Sequence, residues 1–260
     1  MTILARVRAP VAVLIGVVLW ACGTANLFAG PIGYPGGLAE IAPFPLEPFG
    51  LDKAEIFAGP LQDKWLKLMR QLADEQVQLA LCDGDREHCV SPAALRFLAI
   101  VDQARAREGR ARLGEINRAI NLSIKPASDL AEFGEEDVWN SPLDTFARGA
   151  GDCEDYAIAK YVALRLAGID SDDLRIVIMR NTLRGEDHAV ATARLDGHWL
   201  TLDNQRMAMV EDTDTRNVRP LFVIDADGVA KYTDSPPIVQ AGLPAAAASM
   251  ALPLRLAALD

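Results

Sequence analysis

Four cysteines and three histidines leave this 260-residue chain few ways to do nucleophilic chemistry. In Gly149-Ala150-Gly151-Asp152-Cys153-Glu154-Asp155-Tyr156-Ala157, a thiol stands where a glycine-bearing approach meets a helix-forming run. N–H groups in a first helical turn lack intrahelical acceptors, and the helix dipole is positive there. A thiolate at Cys153 and an oxyanion beside it are both favoured. Position alone fits a small buried core cysteine equally well.

The partners decide between these readings. Asp196-Gly197 separates two apolar-rich runs and signals a hairpin. With those two residues as the turn, Leu195 faces His198 and Asp203 lies opposite Val190. His188, two residues before Val190, is then a diagonal same-face neighbour of Asp203, roughly 7–8 Å away at the backbone. An Asp that orients and charges a His is what thiol catalysis requires. His198 falls on the opposite face, and His88 belongs to the loop between Cys82 and Cys89. Without Cys153 and Asp203, His188 would read as a surface residue following the polar stretch 184–187.

Helices must come before these strands. Trp65, Leu68, Leu72 and Leu79 recur at helical spacing from Leu61 onward. Ser91-Pro92 starts a second helix that runs to about Arg107. Leu113, Ile116 and Ile120 mark a third, and 125–150 reads as loop. The helix from Cys153 ends near Ala167, before Gly168. Strands follow at Leu174 to Arg180, His188 to Leu195, His198 to Asp203, Leu221 to Ile224 and Val229 to Tyr232. Helices followed by an antiparallel sheet make an α+β fold.

The ends read differently. Arg6 and Arg8 precede the apolar run Val11 to Trp20, then small residues, as in an export signal over 1–29; an uncleaved anchor is the alternative. Residues 30–54 are rich in Gly and Pro and read as an extended arm. The catalytic domain is expected over 55–235, with an Ala/Pro-rich tail over 236–260. In an oxidising compartment Cys82 and Cys89 suit a disulfide, and a metal site with His88 is the rival reading. The formal charge is −10; 1–29 holds two Arg and no acid, so the remainder carries 24 basic against 36 acidic residues, or −12. That excess of acid excludes nucleic acid as the main partner and is compatible with divalent cations.

Four blocks carry a resemblance: Trp139-Asn140-Ser141-Pro142, Gly151 to Tyr161, Asp187-His188-Ala189-Val190 and Leu202-Asp203-Asn204. Together they resemble the bacterial transglutaminase-like cysteine peptidases, and among these the LapG-type periplasmic proteases, over about residues 55–235. The resemblance implies a papain-like core and a nucleophile, base and acid at Cys153, His188 and Asp203. It implies calcium at Asp152, Glu154 and Asp155. It also implies a periplasmic protease that clips large surface adhesins under an inner-membrane cyclic-di-GMP receptor. The Cys82/Cys89 pair, the stretch before His188 and the tail depart from the pattern.

Calcium makes physical sense at those acids. Three carboxylates beside a thiol oppose its ionisation, and a hard cation with oxygen ligands offsets them. The plainer reading is that acids in a first helical turn suit the dipole. Trp139 is a candidate cleft wall or oxyanion donor, with plain packing as the alternative. Two rivals to a protease remain: an acyltransferase sharing the thioester, and a non-catalytic calcium-dependent binding module.

Overall fold

The computed structural model describes residues 46–135 and 137–233. The expected signal, Cys22, residues 30–45 of the arm and the 236–260 tail lie outside the described residues. After a 3-10 turn at Pro48–Gly50 and strand β1 (Lys53–Ile56), three helices follow: α1 (Pro60–Gly84), α2 (Pro92–Arg105) and α3 (Gly109–Ser123). Among the described residues, no helix is long and apolar enough to cross a membrane. Each of α1 and α2 opens on a proline, whose fixed φ suits the first turn. At α2 the Ser91 hydroxyl accepts from the Ala94 N–H at 3.2 Å. Trp65, Leu68 and Leu79 of α1 are buried, as are Leu113, Ile116 and Ile120 of α3, so the spacing read from the sequence marks the inward faces.

The stretch read as loop contains more structure than expected. It holds β2 (Lys125–Pro126), α4 (Asp129–Phe133), α5 (Pro142–Arg148) and β3 (Ala150–Gly151), leading into α6 (Cys153–Leu166). Helices of five and seven residues are too short to show a period. Yet α5 starts on Ser141-Pro142, the same signal as Ser91-Pro92, and ends on Gly149 at φ 71°, a left-handed cap. β2 pairs with β3 in parallel, binding the end of α3 to the approach to Cys153.

The remaining strands are β4 (Leu174–Asn181), β5 (Glu186–Leu195), β6 (His198–Leu202), β7 (Val210–Glu211), β8 (Val218–Ile224) and β9 (Val229–Tyr232). With β1 they form a seven-stranded antiparallel sheet in the order β1-β9-β8-β4-β5-β6-β7. Lys53 pairs with Tyr232, so the end of the expected arm is an edge strand. The helices cover one face of the sheet, where α6 lies against β4 and β5. The other face buries Val177, Met179, Val190 and Val223, with Phe49 and Leu51 packed over them.

Cys82, buried in the last turn of α1, is bonded to Cys89 just before α2, with Cα atoms 4.8 Å apart. Closing so short a loop stabilises by about 2–3 kcal/mol in the chain-entropy account. Replacing both cysteines by Ala is therefore expected to lower the unfolding free energy by about that amount in urea titration. Thiol counting under denaturing conditions should gain two thiols on reduction. An unchanged count would reopen the metal reading of this loop.

Candidate active site

The Cys helix is seated by a glycine and a buried acid. A Cβ on Gly151 would fall 2.5 Å from Asp155 Oδ2, so only glycine admits the Asp155 carboxylate. Asp155 is fully buried and accepts from the Asn140 N–H at 3.0 Å and the Asn140 side-chain amide at 3.1 Å. Burial pushes its pKa up to about 7 against those hydrogen bonds. Asp155 thus ties α6 to the segment before α5.

The grouping of acids differs from the expected one. Asp129, Asp152 and Glu154 each offer an oxygen within 4.8 Å of the others, and Asp155 does not join them. Asp152 occupies the N-cap position of α6 but makes no capping bond. Its Oδ1 and Oδ1 of Asp129 are buried without a hydrogen-bond partner, while the other Asp129 oxygen takes the Val138 N–H. Buried carboxylate oxygens left this way are rare and suit a cation. Nothing local in the sequence marks Asp129: it opens a five-residue helix 23 positions before Asp152, where an acid ordinarily serves the helix dipole.

Cys153 is the first residue of α6 and is half-buried. Its thiol donates to Glu154 Oε2 at 3.2 Å. Burial, then the charges of Glu154 and Asp152, push the thiol well above its ordinary range, opposed by the Ala189 N–H. Glu154 is itself pushed up, by burial and then by its hydrogen bond and charge contact with Asp152. With these acids uncompensated, the thiol is held protonated.

Across the cleft, the Asp196-Gly197 turn sets the hairpin register. Both turn residues have positive φ, 51° and 85°, the conformation that matches strand twist. Leu195 pairs with His198 and Ala191 with Leu202. His188 and Asp203 therefore share a face, and His188 Nε2 lies 2.9 Å from Asp203 Oδ1. Asp203 Oδ1 also accepts from the Gln205 N–H at 2.9 Å. Burial alone would raise the Asp203 carboxyl. The hydrogen bond and charge of His188, with the Gln205 N–H and the charge of Lys160, outweigh it and hold the group below the usual carboxylate range. His198 is mostly exposed near Glu211, and His88 is exposed beside Asp85.

Cys153 and His188 line one cleft of about 480 Å³, together with Trp139, Ile178, Ala189 and Phe222. The Trp139 indole N–H donates to Asp137 at 2.9 Å, and Asp137 also holds Lys64. Trp139 therefore lines the cleft with its indole N–H engaged by Asp137. A thiol at a helix N-terminus and a carboxylate-bound imidazole, facing one half-apolar cleft, can carry out acyl transfer.

No curated protein sequence matches the chain. Among solved structures it is similar to LapG of Legionella pneumophila, with 22% identity and a TM-score of 0.50 over 60% of this chain and 86% of that one. The EGTA-treated form of that protein gives 22% and 0.50 over 60% and 84%. The calcium-bound form gives 23% and 0.49 over 57% and 82%. At such identity the first two likenesses speak for the fold alone, a helical layer on an antiparallel sheet. The family model for bacterial transglutaminase-like cysteine proteinases matches residues 77–218, more than half of the 260. The chain belongs to that family, and it is a cysteine peptidase.

Proposed function

We propose that the chain is a calcium-dependent periplasmic protease in which Cys153 is the nucleophile, His188 the base and Asp203 the acid that orients it. The observation that carries this reading is the 2.9 Å contact of Asp203 with His188, which itself lines the cleft that also holds Cys153. With Nε2–H given to Asp203, the imidazole keeps Nδ1 as its acceptor. The Cys153 thiol passes its proton to His188 as sulfur attacks the scissile carbonyl. First-turn N–H groups of α6 are placed to receive the oxyanion. His188 then returns the proton to the departing amine, leaving a thioester. Water attacks that thioester with His188 again as base, releasing the acid product and the thiol.

Asp129, Asp152 and Glu154 would hold the calcium ion, on the strength of their shared approach and two partnerless buried oxygens. When bound, it supplies positive charge beside a thiol that burial and carboxylates otherwise keep protonated. Asp155 serves the backbone instead. The sequence resemblance supports a large exported adhesin as substrate, cyclic-di-GMP-linked control at the inner membrane, and a peptidase domain over about 55–235.

The test is mass spectrometry of an exported adhesin from the host incubated with the purified protein and calcium. Clipped chains with new termini are expected. Isopeptide links or ammonia release would instead establish an acyltransferase. Intact adhesin bound but unaltered would establish a binding module. Asp203→Asn is expected to lower kcat about 10²–10⁴-fold, because the amide favours the wrong imidazole tautomer. His198→Ala should remain within about threefold of the parent, since a surface substitution away from the site changes little. The two variants compared by peptide-product assay test the hairpin register: an essential His198 would sink it.

A further inference from the structure

Lys160 has no solvent exposure, and the chemistry described above gives it no task. It follows Cys153 by seven residues on α6, two turns along the same face. Lysine is almost never fully buried unless paired, and an apolar residue would serve the core face of α6 equally well. Its ammonium donates to the Leu202 carbonyl at 3.1 Å and lies 5.8 Å from the centre of the Tyr156 ring. Burial lowers its pKa to about 7, with the Asp203 carboxylate opposing.

Leu202 is the last residue of β6, so its carbonyl belongs to the peptide unit that leads into Asp203. The next carbonyl, that of Asp203, accepts from the Asn121 side-chain amide at 2.9 Å. Two successive peptide units at the strand's exit are thus gripped from the helical layer, one by α6 and one by α3. The chain leaves β6 here, and ladder bonds no longer set the direction of the Asp203 side chain.

We propose that Lys160 is a positioning residue for the His188–Asp203 pair: it holds the Leu202–Asp203 peptide unit and sets positive charge behind the carboxylate, so that Asp203 stays aimed at His188. The inference rests on the reading of His188 and Asp203 as base and acid. The helix that presents the nucleophile then also fixes the base's partner, and the two halves of the site keep their relative placement through one rigid element. The charged groups around Asp203 are His188 on β5, Lys160 on α6, and Arg206 and Arg216, which line the same cavity.

The test uses Lys160→Met, close in length and without donor or charge, in the whole chain. Its kcat is expected to fall about 10- to 100-fold with KM little changed, the cost of a sub-ångström to ångström misplacement of a catalytic group. The Asp203 carboxyl, followed by carbon NMR, should titrate at higher pH than in the parent, while the melting temperature holds or rises. A folded variant with parental kcat and an unmoved Asp203 titration would overturn the proposal. Should Lys160→Met not fold, Lys160→Arg decides, since it keeps donor and charge. A folded Arg variant within about tenfold of parental kcat supports the role. Loss of kcat in a folded Arg variant, or failure of both variants to fold, overturns it. Retained activity in His188→Ala would sink the catalytic reading, and the Asp203 titration would still report on Lys160.

Discussion

Cys153→Ala is expected to have no measurable turnover while melting close to the parent. The thiol sits at the first position of α6, half-buried at the margin of the core, where it meets Glu154 and the Ala189 N–H, and a methyl group in its place removes a single sulfur atom. Ala is a good helix former, so the substitution leaves the helix intact. The chemistry, by contrast, has no substitute: among the described residues Cys153 is the free cysteine. Removing a nucleophile from a catalytic set that acts as a unit costs on the order of 10⁴- to 10⁶-fold in kcat. His188→Ala should cost about as much, and combining it with Cys153→Ala should add almost nothing, because the proposed mechanism joins the two in one step. Peptide-product kinetics on the two single variants and the double variant measures this directly. A thiol-reactive probe should label the calcium-loaded protein at Cys153. Turnover surviving in Cys153→Ala would end the assignment of the site.

Much of that site could be read before any coordinates, and the reason is local. The hairpin register follows from two turn residues, and register determines which side chains share a face. Asp196-Gly197 therefore placed His188 beside Asp203 without knowledge of the rest of the sheet. The Cys helix was legible because glycine, acid and apolar run meet within nine residues. Less legible was whatever depends on segments meeting from afar. Asp129 reaches Asp152 and Glu154 only because β2 pairs with β3, a parallel bridge of two residues with no periodic signature. Asp155 looked like its neighbours on the helix, and only the packing of Asn140 reveals that it faces the protein rather than the acid cluster. Lys160 gives no local signal of burial, because a lysine in a helix ordinarily faces water. The boundary expected at residue 54 cuts through β1, because a four-residue edge strand with Lys and Glu carries no alternation strong enough to announce it.

A calcium-specific chelator is expected to abolish activity, and added calcium to restore it. Asp129, Asp152 and Glu154 bring three carboxylates together beside the thiol, and two of their oxygens are buried with no partner. In metal-free protein these groups repel one another and hold Cys153 protonated, so neither attack nor alkylation at the sulfur should proceed well. Calcium held by the folded cluster would have no such site on the unfolded chain. At 100 times its dissociation constant it should add about 2.7 kcal/mol of stability, readable as a rise in melting temperature. Magnesium should do less, since it demands tighter octahedral geometry and gives up water reluctantly. Asp129→Asn separates the structural grouping from the one expected along the helix. It should remove most of the calcium-linked rise and most of the activity, while leaving the metal-free protein as stable as the parent or more so, because one repelling charge is gone. Asp155→Asn should do the reverse: it weakens the buried contacts to Asn140 and lowers stability with or without calcium, yet keeps the calcium-linked rise. Melting curves of both variants and the parent, each with chelator and with calcium, decide between the two groupings. Full activity in chelator with no calcium-linked shift in the parent would leave the three acids as charges at helix ends.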